Sequence, residues 1–94
     1  MFLATVVGQV VSTHKNERLV GKRLLLVKKL TLAMKPEGTE TIALDVVDAG
    51  VGDNVLVVQE GSSARKIFDD QWLPVQAVIV GVLDRVDLNG RQVL

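Results

Sequence analysis

Short runs of Val, Ile, Leu and Thr, broken by Gly, Asp and Asn, fill most of the chain. Runs of this kind read as β-strands. Phe2 to Thr13 is the first. Its even positions are Phe2, Ala4, Val6, Gly8 and Val10, and its odd positions are Leu3, Thr5, Val7, Gln9 and Val11. One face is wholly apolar and the other is mixed. Gly8 in mid-strand predicts a bulge or bend, the device that turns a strand around the corner of a small barrel.

After a polar loop from His14 to Gly21, Lys22 to Ala33 forms a second strand with Leu24, Leu26, Leu30 and Leu32 on one side. Met34 to Gly38 is a turn. Glu40 to Asp48 is the third strand and the cleanest alternation. Ile42, Leu44 and Val46 point one way; Thr41, Ala43, Asp45 and Val47 point the other. A Gly-rich turn at Asp48 to Asp53 leads into a fourth strand, Asn54 to Glu60. Residues 62–67 suit one or two helical turns. Val75 to Asp87 is the fifth strand, and Asn89-Gly90 is a type I′ hairpin signal that returns the chain through Arg91 to Leu94.

Five strands with one short helix before the last predict an all-β fold. The expected form is a small OB-like barrel with a C-terminal hairpin, in a single domain over 1–94. The fifth strand is apolar on both faces: Val78, Val80 and Val82 on one, Ala77, Ile79 and Leu83 on the other. A barrel has one inside, and the outer face of an antiparallel strand is ordinarily polar. Two readings follow. A neighbouring subunit covers Ala77, Ile79 and Leu83, or the chain's own helix and C-terminal segment cover the surplus.

Composition favours association. The chain has 94 residues, 48% of them apolar. Its mean hydropathy is +0.32. A domain this small buries only about 60–65% of its unfolded surface. The 11 basic and 11 acidic residues cancel, aromatics are 3%, and Tyr is absent. Phosphate binding favours a basic surface and single strands favour aromatic platforms, so nucleic acid is not an expected partner. No apolar run approaches the roughly 18 residues of a membrane span. The start, Met1-Phe2-Leu3-Ala4-Thr5, lacks the basic region of a signal peptide. The expected place is the cytoplasm, with no membrane partner.

Chemical motifs are sparse. His14 is the only histidine, in a polar loop with no nucleophile elbow, and reads as a solvated side chain. One His and no Cys leave too few ligands for zinc. Asp69-Asp70 lacks the spaced ligands of a calcium loop. Asp45, Asp48 and Asp53 flank a turn, where Asp is ordinary. Gly50-Val51-Gly52 is not a dinucleotide fingerprint, because a strand follows it. No catalytic residue, cofactor or metal is expected. Gly61-Ser62-Ser63-Ala64-Arg65 carries two readings: serines that cap a helix start, or an anion site completed by Arg65.

The sequence resembles the pentameric vertex proteins of bacterial microcompartments, the family of carboxysome and ethanolamine-compartment vertex proteins. The likeness runs nearly end to end. It rests on Gly8-Gln9-Val10-Val11-Ser12-Thr13, on Leu19-Val20-Gly21-Lys22-Arg23-Leu24-Leu25, and on Asp48-Ala49-Gly50-Val51-Gly52-Asp53. Gly61-Ser62-Ser63-Ala64-Arg65 and Pro74-Val75-Gln76-Ala77-Val78-Ile79-Val80-Gly81 complete it. The combination is specific, although no single piece is. Gln76 departs from the Asp that many relatives carry, and Phe68 to Leu73, with Trp72, does not align.

The resemblance implies a structural protein rather than an enzyme. It implies a homopentamer with a narrow central opening, capping the vertices of a polyhedral shell in the cytoplasm. Hexameric and trimeric shell proteins would be its partners. Near a fivefold axis each residue appears five times, so small polar residues are tolerated best. Gly61, Ser62, Ser63, Ala64 and Arg65 are the first candidates for the pore or subunit interface, and Gly50, Val51, Gly52 and Asp53 the second. Two other functions compete: an OB-like nucleic-acid-binding module, and a small metabolite-binding oligomer.

Overall fold

The structure is a computed structural model that describes residues 1–11, 21–59 and 77–94. Seven strands run through them: β1 (Phe2–Val10), β2 (Arg23–Leu30), β3 (Pro36–Asp45), β4 (Asn54–Val58), β5 (Val78–Val82), β6 (Asp87–Leu88) and β7 (Arg91–Gln92). The first five close into a barrel in the order β1-β2-β3-β5-β4, with β4 returning to β1. Neighbours are antiparallel except β3 and β5, which run parallel through Leu44–Val78 and Asp45–Ile79. The expected all-β, OB-like barrel is therefore present. The short helix expected before the last strand falls outside the described residues, as do His14, Gly61 to Arg65, Asp69, Asp70, Trp72 and Gln76.

Alternation sorts the side chains between the two sides of the barrel wall. Ala4, Val6, Leu25, Val27, Ala43, Val55, Val57 and Ile79 are each at most 1% exposed and form the interior, joined by Ala49 and Ala77. Phe2 and Val47 pack against them. The interior is built mainly of Ala and Val because a five-stranded barrel is narrow. The expected faces of β3 hold: Ala43 lies inside, while Leu44 and Ile42 lie on the opposite face. Leu24, Leu26 and Leu30 also share one face, as expected, and it is the outer one. Leu25 and Val27 supply the core instead.

Bulges bend the wall. One falls in β1 between Val6 and Gly8, where the sequence predicts it; Val7 is the extra residue. A Cβ at Gly8 would stand 3.4 Å from Leu26 Cδ1, so a small residue lets that leucine lie across the bend. A second shift opposes Leu56 and Val57 to Gly81 and Ile79, leaving Val80 as the extra residue.

The ends of the elements differ from expectation at the β2–β3 connection. Thr31 closes a tight turn there: its N–H donates to Lys35 O at 2.8 Å, and Met34 N–H donates to Thr31 O at 2.9 Å. Met34 takes a positive φ of 65° to make the turn. Leu32 consequently leaves the strand and is 64% exposed. β3 begins at Pro36, earlier than Glu40, and ends at Asp45 rather than Asp48. The Asn89-Gly90 hairpin forms as expected. Both residues have positive φ, 52° and 77°, which is the requirement of a type I′ turn.

These assignments separate Leu25 from Leu32. Leu25→Ala removes a fully enclosed side chain and should cost about 2–5 kcal/mol. Leu32→Ala should change stability by less than about 0.5 kcal/mol. Urea denaturation measures both, and similar losses would refute the assignment of the two residues to core and turn.

Candidate assembly surface

The outside of the barrel wall is the unusual feature. Residues paired across strands share a face, so the register identifies the outer set. Leu3 pairs with Leu30 on one side and Leu56 on the other, opposite in phase to the buried pair Ala4 and Val55. Leu24 pairs with Val10 and with Leu44, and Leu44 pairs with Val78. Leu26 lies between Gly8 and Ile42. These outer positions are apolar, although Thr5 and Lys28 interrupt them.

Burial within the single chain divides this outer set. Leu44 and Val78 are 0% exposed and Leu30 is 6% exposed, so the chain itself covers them. Leu3, Leu24, Leu26 and Leu56 are half-buried. Ile42 is 50% exposed, and Val7, on the β1 bulge across β2 from it, is 46% exposed. Covering the rest of each of those last two side chains contributes about 1 kcal/mol, half the value of full burial. The open apolar positions of the wall are thus Val7 on β1 and Ile42 on β3, with half-buried Leu26 between them, and Val82 on β5.

This corrects the expectation for the fifth strand. Ala77 and Ile79 are 2% and 0% exposed and lie in the barrel's own interior. The single chain already encloses both side chains. Val78, on the other face, is also enclosed by its own chain. Both apolar faces at the start of β5 are thus used inside the subunit. The parallel pairing with β3 draws this end of the strand into the wall, which alternation alone does not reveal. Leu83 is half-buried, and its N–H donates to Asn54 O at 2.8 Å. The strand's most exposed residue is Val82, at 42%.

The Gly50 to Asp53 turn is rigidly stitched. Gly50 N–H donates to Asp53 Oδ2 at 2.8 Å, and Asp53 N–H donates to Gly50 O at 3.0 Å. Gly52 has φ +96°, a conformation that favours glycine. Its N–H donates to Val6 O, and Val6 N–H donates to Asp53 O, both at 2.9 Å. The turn is thereby fixed to β1 beside the bulge, and it presents Val51, 68% exposed, at its tip.

Asp45 organises the approach to this turn. Its side chain is 1% exposed. Oδ1 accepts from Val47 N–H at 3.1 Å, and Oδ2 accepts from Ala49 N–H at 3.0 Å. Arg23 Nη1 donates to Asp45 Oδ2 at 3.1 Å and to Asp48 Oδ1 at 3.0 Å. A carboxylate hidden from water needs such partners, and here they are backbone amides and one cation. Asp48 takes a positive φ of 58°, and the next residue, Ala49, returns to the interior. Sequence reasoning treats Asp45 as ordinary turn chemistry and passes over Arg23. The legible signal is an Asp two and four residues before amides that leave the strand.

A protein-family model described as ethanolamine utilisation protein EutN/carboxysome matches residues 1–84. The bacterial microcompartment shell vertex protein GrpN of Rhodospirillum rubrum is 41% identical over 87 residues, which cover 93% of this chain and 97% of GrpN. The carboxysome shell vertex protein CcmL of Synechocystis is 43% identical over 88 residues, 94% of this chain and 87% of CcmL. Among solved structures, Gloeobacter violaceus CcmL superposes with a TM-score of 0.91 at 34% identity, covering 100% of this chain and 96% of that one. The pentameric microcompartment shell protein GrpN from Rhodospirillum rubrum gives a TM-score of 0.83 at 42% identity, over 94% and 99% of the two chains.

The turn geometry makes Asp45 and Arg23 unequal. Asp45→Ala strips enclosed backbone amides of their acceptor and should cost about 2–3 kcal/mol. Arg23 is 46% exposed, so Arg23→Ala should cost about 1 kcal/mol or less. Thermal or urea melts of both variants measure the difference, and an Arg23 loss equal to that of Asp45 would refute it.

Proposed function

From the premise that this chain belongs to the EutN/carboxysome family, we propose that it is a shell vertex protein of a bacterial microcompartment. Five copies form a closed ring that fills the fivefold corners of the shell. The observation that carries this reading is the half-covered apolar outer wall of an already closed barrel. A monomeric barrel gains nothing by holding Val7, Leu26 and Ile42 against water. A subunit in a ring covers them. The pentameric state named for GrpN, 42% identical over nearly its whole length, supports five as the number.

A flat sheet of hexagonal tiles cannot close into a polyhedron without fivefold positions. A subunit that closes on itself as a ring of five fits such a position. Each subunit of a cyclic ring offers two different patches, one to the neighbour on each side. The role is mechanical: no step of it requires a catalytic group, a cofactor or a metal. The partners of the ring are hexameric and trimeric shell proteins. Its location is the microcompartment shell within the cytoplasm. Gly61, Ser62, Ser63, Ala64 and Arg65, followed by Gly50, Val51, Gly52 and Asp53, remain the candidates for the axis or subunit contacts. No observation favours nucleic-acid or metabolite binding: the 11 basic and 11 acidic residues of the chain cancel, and aromatics are only 3%.

Light scattering coupled to gel filtration tests the ring. The expected mass is five times the 10.2 kDa of one chain. Replacing Ile42 by Asp should lower that mass while leaving the melting of the barrel nearly unchanged, because Ile42 is outside the core. A wild-type protein with the mass of one chain would sink the proposal.

A further inference from the structure

Asn16 precedes Glu17, Asn54 precedes Val55, and Asn89 precedes Gly90. The last pair forms the tip of the C-terminal hairpin. Both residues are exposed, with φ of 52° and 77°. The Asn89 carboxamide takes no part in the barrel, in the Asp45 cluster or in the ring proposed above.

An asparagine carboxamide is a weak electrophile, and the backbone nitrogen of the next residue is the nucleophile tethered nearest to it. A side chain on that next residue shields the nitrogen, and glycine has none. A Cβ placed at Gly90 would meet nothing within 4 Å, so the surroundings of the turn leave its nitrogen open as well. Asn54 differs on both counts. It lies in β4, paired with Thr5, and the Val55 that follows it is 0% exposed.

We propose that Asn89 is a site of spontaneous covalent modification by water. Hydroxide takes the proton of Gly90 N–H, and the nitrogen bonds to Asn89 Cγ. The Cγ–Nδ2 bond breaks, and ammonia leaves with a proton from water, which regenerates the hydroxide. Water then opens the cyclic imide at either carbonyl. Addition at Cγ gives aspartate. Addition at the main-chain carbonyl leaves Gly90 joined through Cγ, which is isoaspartate. One water is consumed, one ammonia is released, and nothing is oxidised or reduced.

The ring closes when the turn opens, and opening the tip costs little. Only the Leu88–Arg91 pair has to part. Below it the Asp87–Gln92 pair and the bond from Val93 N–H to Val86 O, 2.8 Å, hold the base of the hairpin, where Val86 and Val93 are half-buried. β6 and β7 form a two-stranded sheet of their own. Local opening of so short a ladder takes far less free energy than unfolding the barrel. The two products then differ. Asp-Gly suits a type I′ turn as Asn-Gly does. Isoaspartate adds a methylene to the main chain and loses the two-residue spacing between Leu88 and Arg91. Either product adds a negative charge to a chain whose formal net charge is zero. The barrel closes without this element, so its wall stays intact.

Trypsin cuts after Arg85 and Arg91 and isolates residues 86–91, in which Asn89 is the only amide side chain. The full chain is held for weeks in mildly alkaline buffer, digested and analysed by liquid chromatography and mass spectrometry. A synthetic peptide of residues 86–91 is treated alongside it. The expected result is two new forms of the 86–91 peptide, each heavier by the exchange of NH₂ for OH, while Asn54 keeps its mass. Their rate of appearance should rise with pH. Conversion in the full chain should lag the free peptide by less than about a hundredfold, the factor set by a local opening of about 2.7 kcal/mol. No conversion, or a greater lag, would mean that the folded turn protects Asn89 and would overturn the proposal. Asn89→Gln should abolish both forms, because the larger ring that glutamine must close forms far more slowly. Their persistence in that variant would also overturn it.

Discussion

A closed wall of five strands encloses very little room, and that narrowness governs where every large apolar side chain can go. The interior takes Ala4, Ala43, Ala49 and Ala77, a set of valines, and only Leu25 and Ile79 among larger residues. Leu3, Leu24, Leu26, Leu30, Leu44 and Leu56 are left for the outer surface. The same strands therefore carry two apolar layers, one sealed by barrel closure and one that closure cannot seal. Leu30, Leu44 and Val78 find cover within the chain. The remainder does not, and it is this remainder that turns a folded subunit into a component.

Closure itself depends on a short and delicate seam. β3 and β5 meet in parallel over only two residue pairs, helped by Leu44 N–H donating to Ala77 O. Parallel pairs are slightly weaker than antiparallel ones. The Asp45 carboxylate lies at this seam and gathers the amides of Val47 and Ala49 as the chain leaves β3. Its neighbour Arg23 ties the start of β2 to the same point. The Gly50 to Asp53 turn then crosses to β1 at Val6. One polar cluster thus joins the strand ends that the apolar interior cannot reach.

Features set by neighbours in sequence are legible in the chain itself. Gly8 marks a bulge because a missing side chain permits one, and Asn89-Gly90 marks a hairpin because both residues accept positive φ. The alternation of β3 is legible for the same reason. What alternation cannot say is which apolar face points inward. Ala77 and Ile79 read as contacts to a neighbour, and they lie in the core. Side-chain size holds the missing information: the narrow interior selects the Ala and Val face and rejects the Leu face. The bulge at Val80 leaves no local mark, because it is set by the register of β5 against the distant strand β4. Asp45 is easily undervalued because its partners become neighbours only where the strand ends.

Division of the apolar residues into two layers also separates folding from assembly. The inner layer is complete in one chain, so loss of an outer contact leaves the barrel standing. The outer layer runs over β1, β2, β3 and β4, and Val7 and Ile42 are among its most exposed members. A closed ring needs two unlike patches on each subunit, since a single self-complementary patch builds a pair rather than a circle. The angle between those patches sets the number of copies, so the wall that carries them must keep its shape, and the bonds that stitch the turn to Val6 help it do so. Rigidity of the barrel is therefore part of the assembly's geometry as well as its stability.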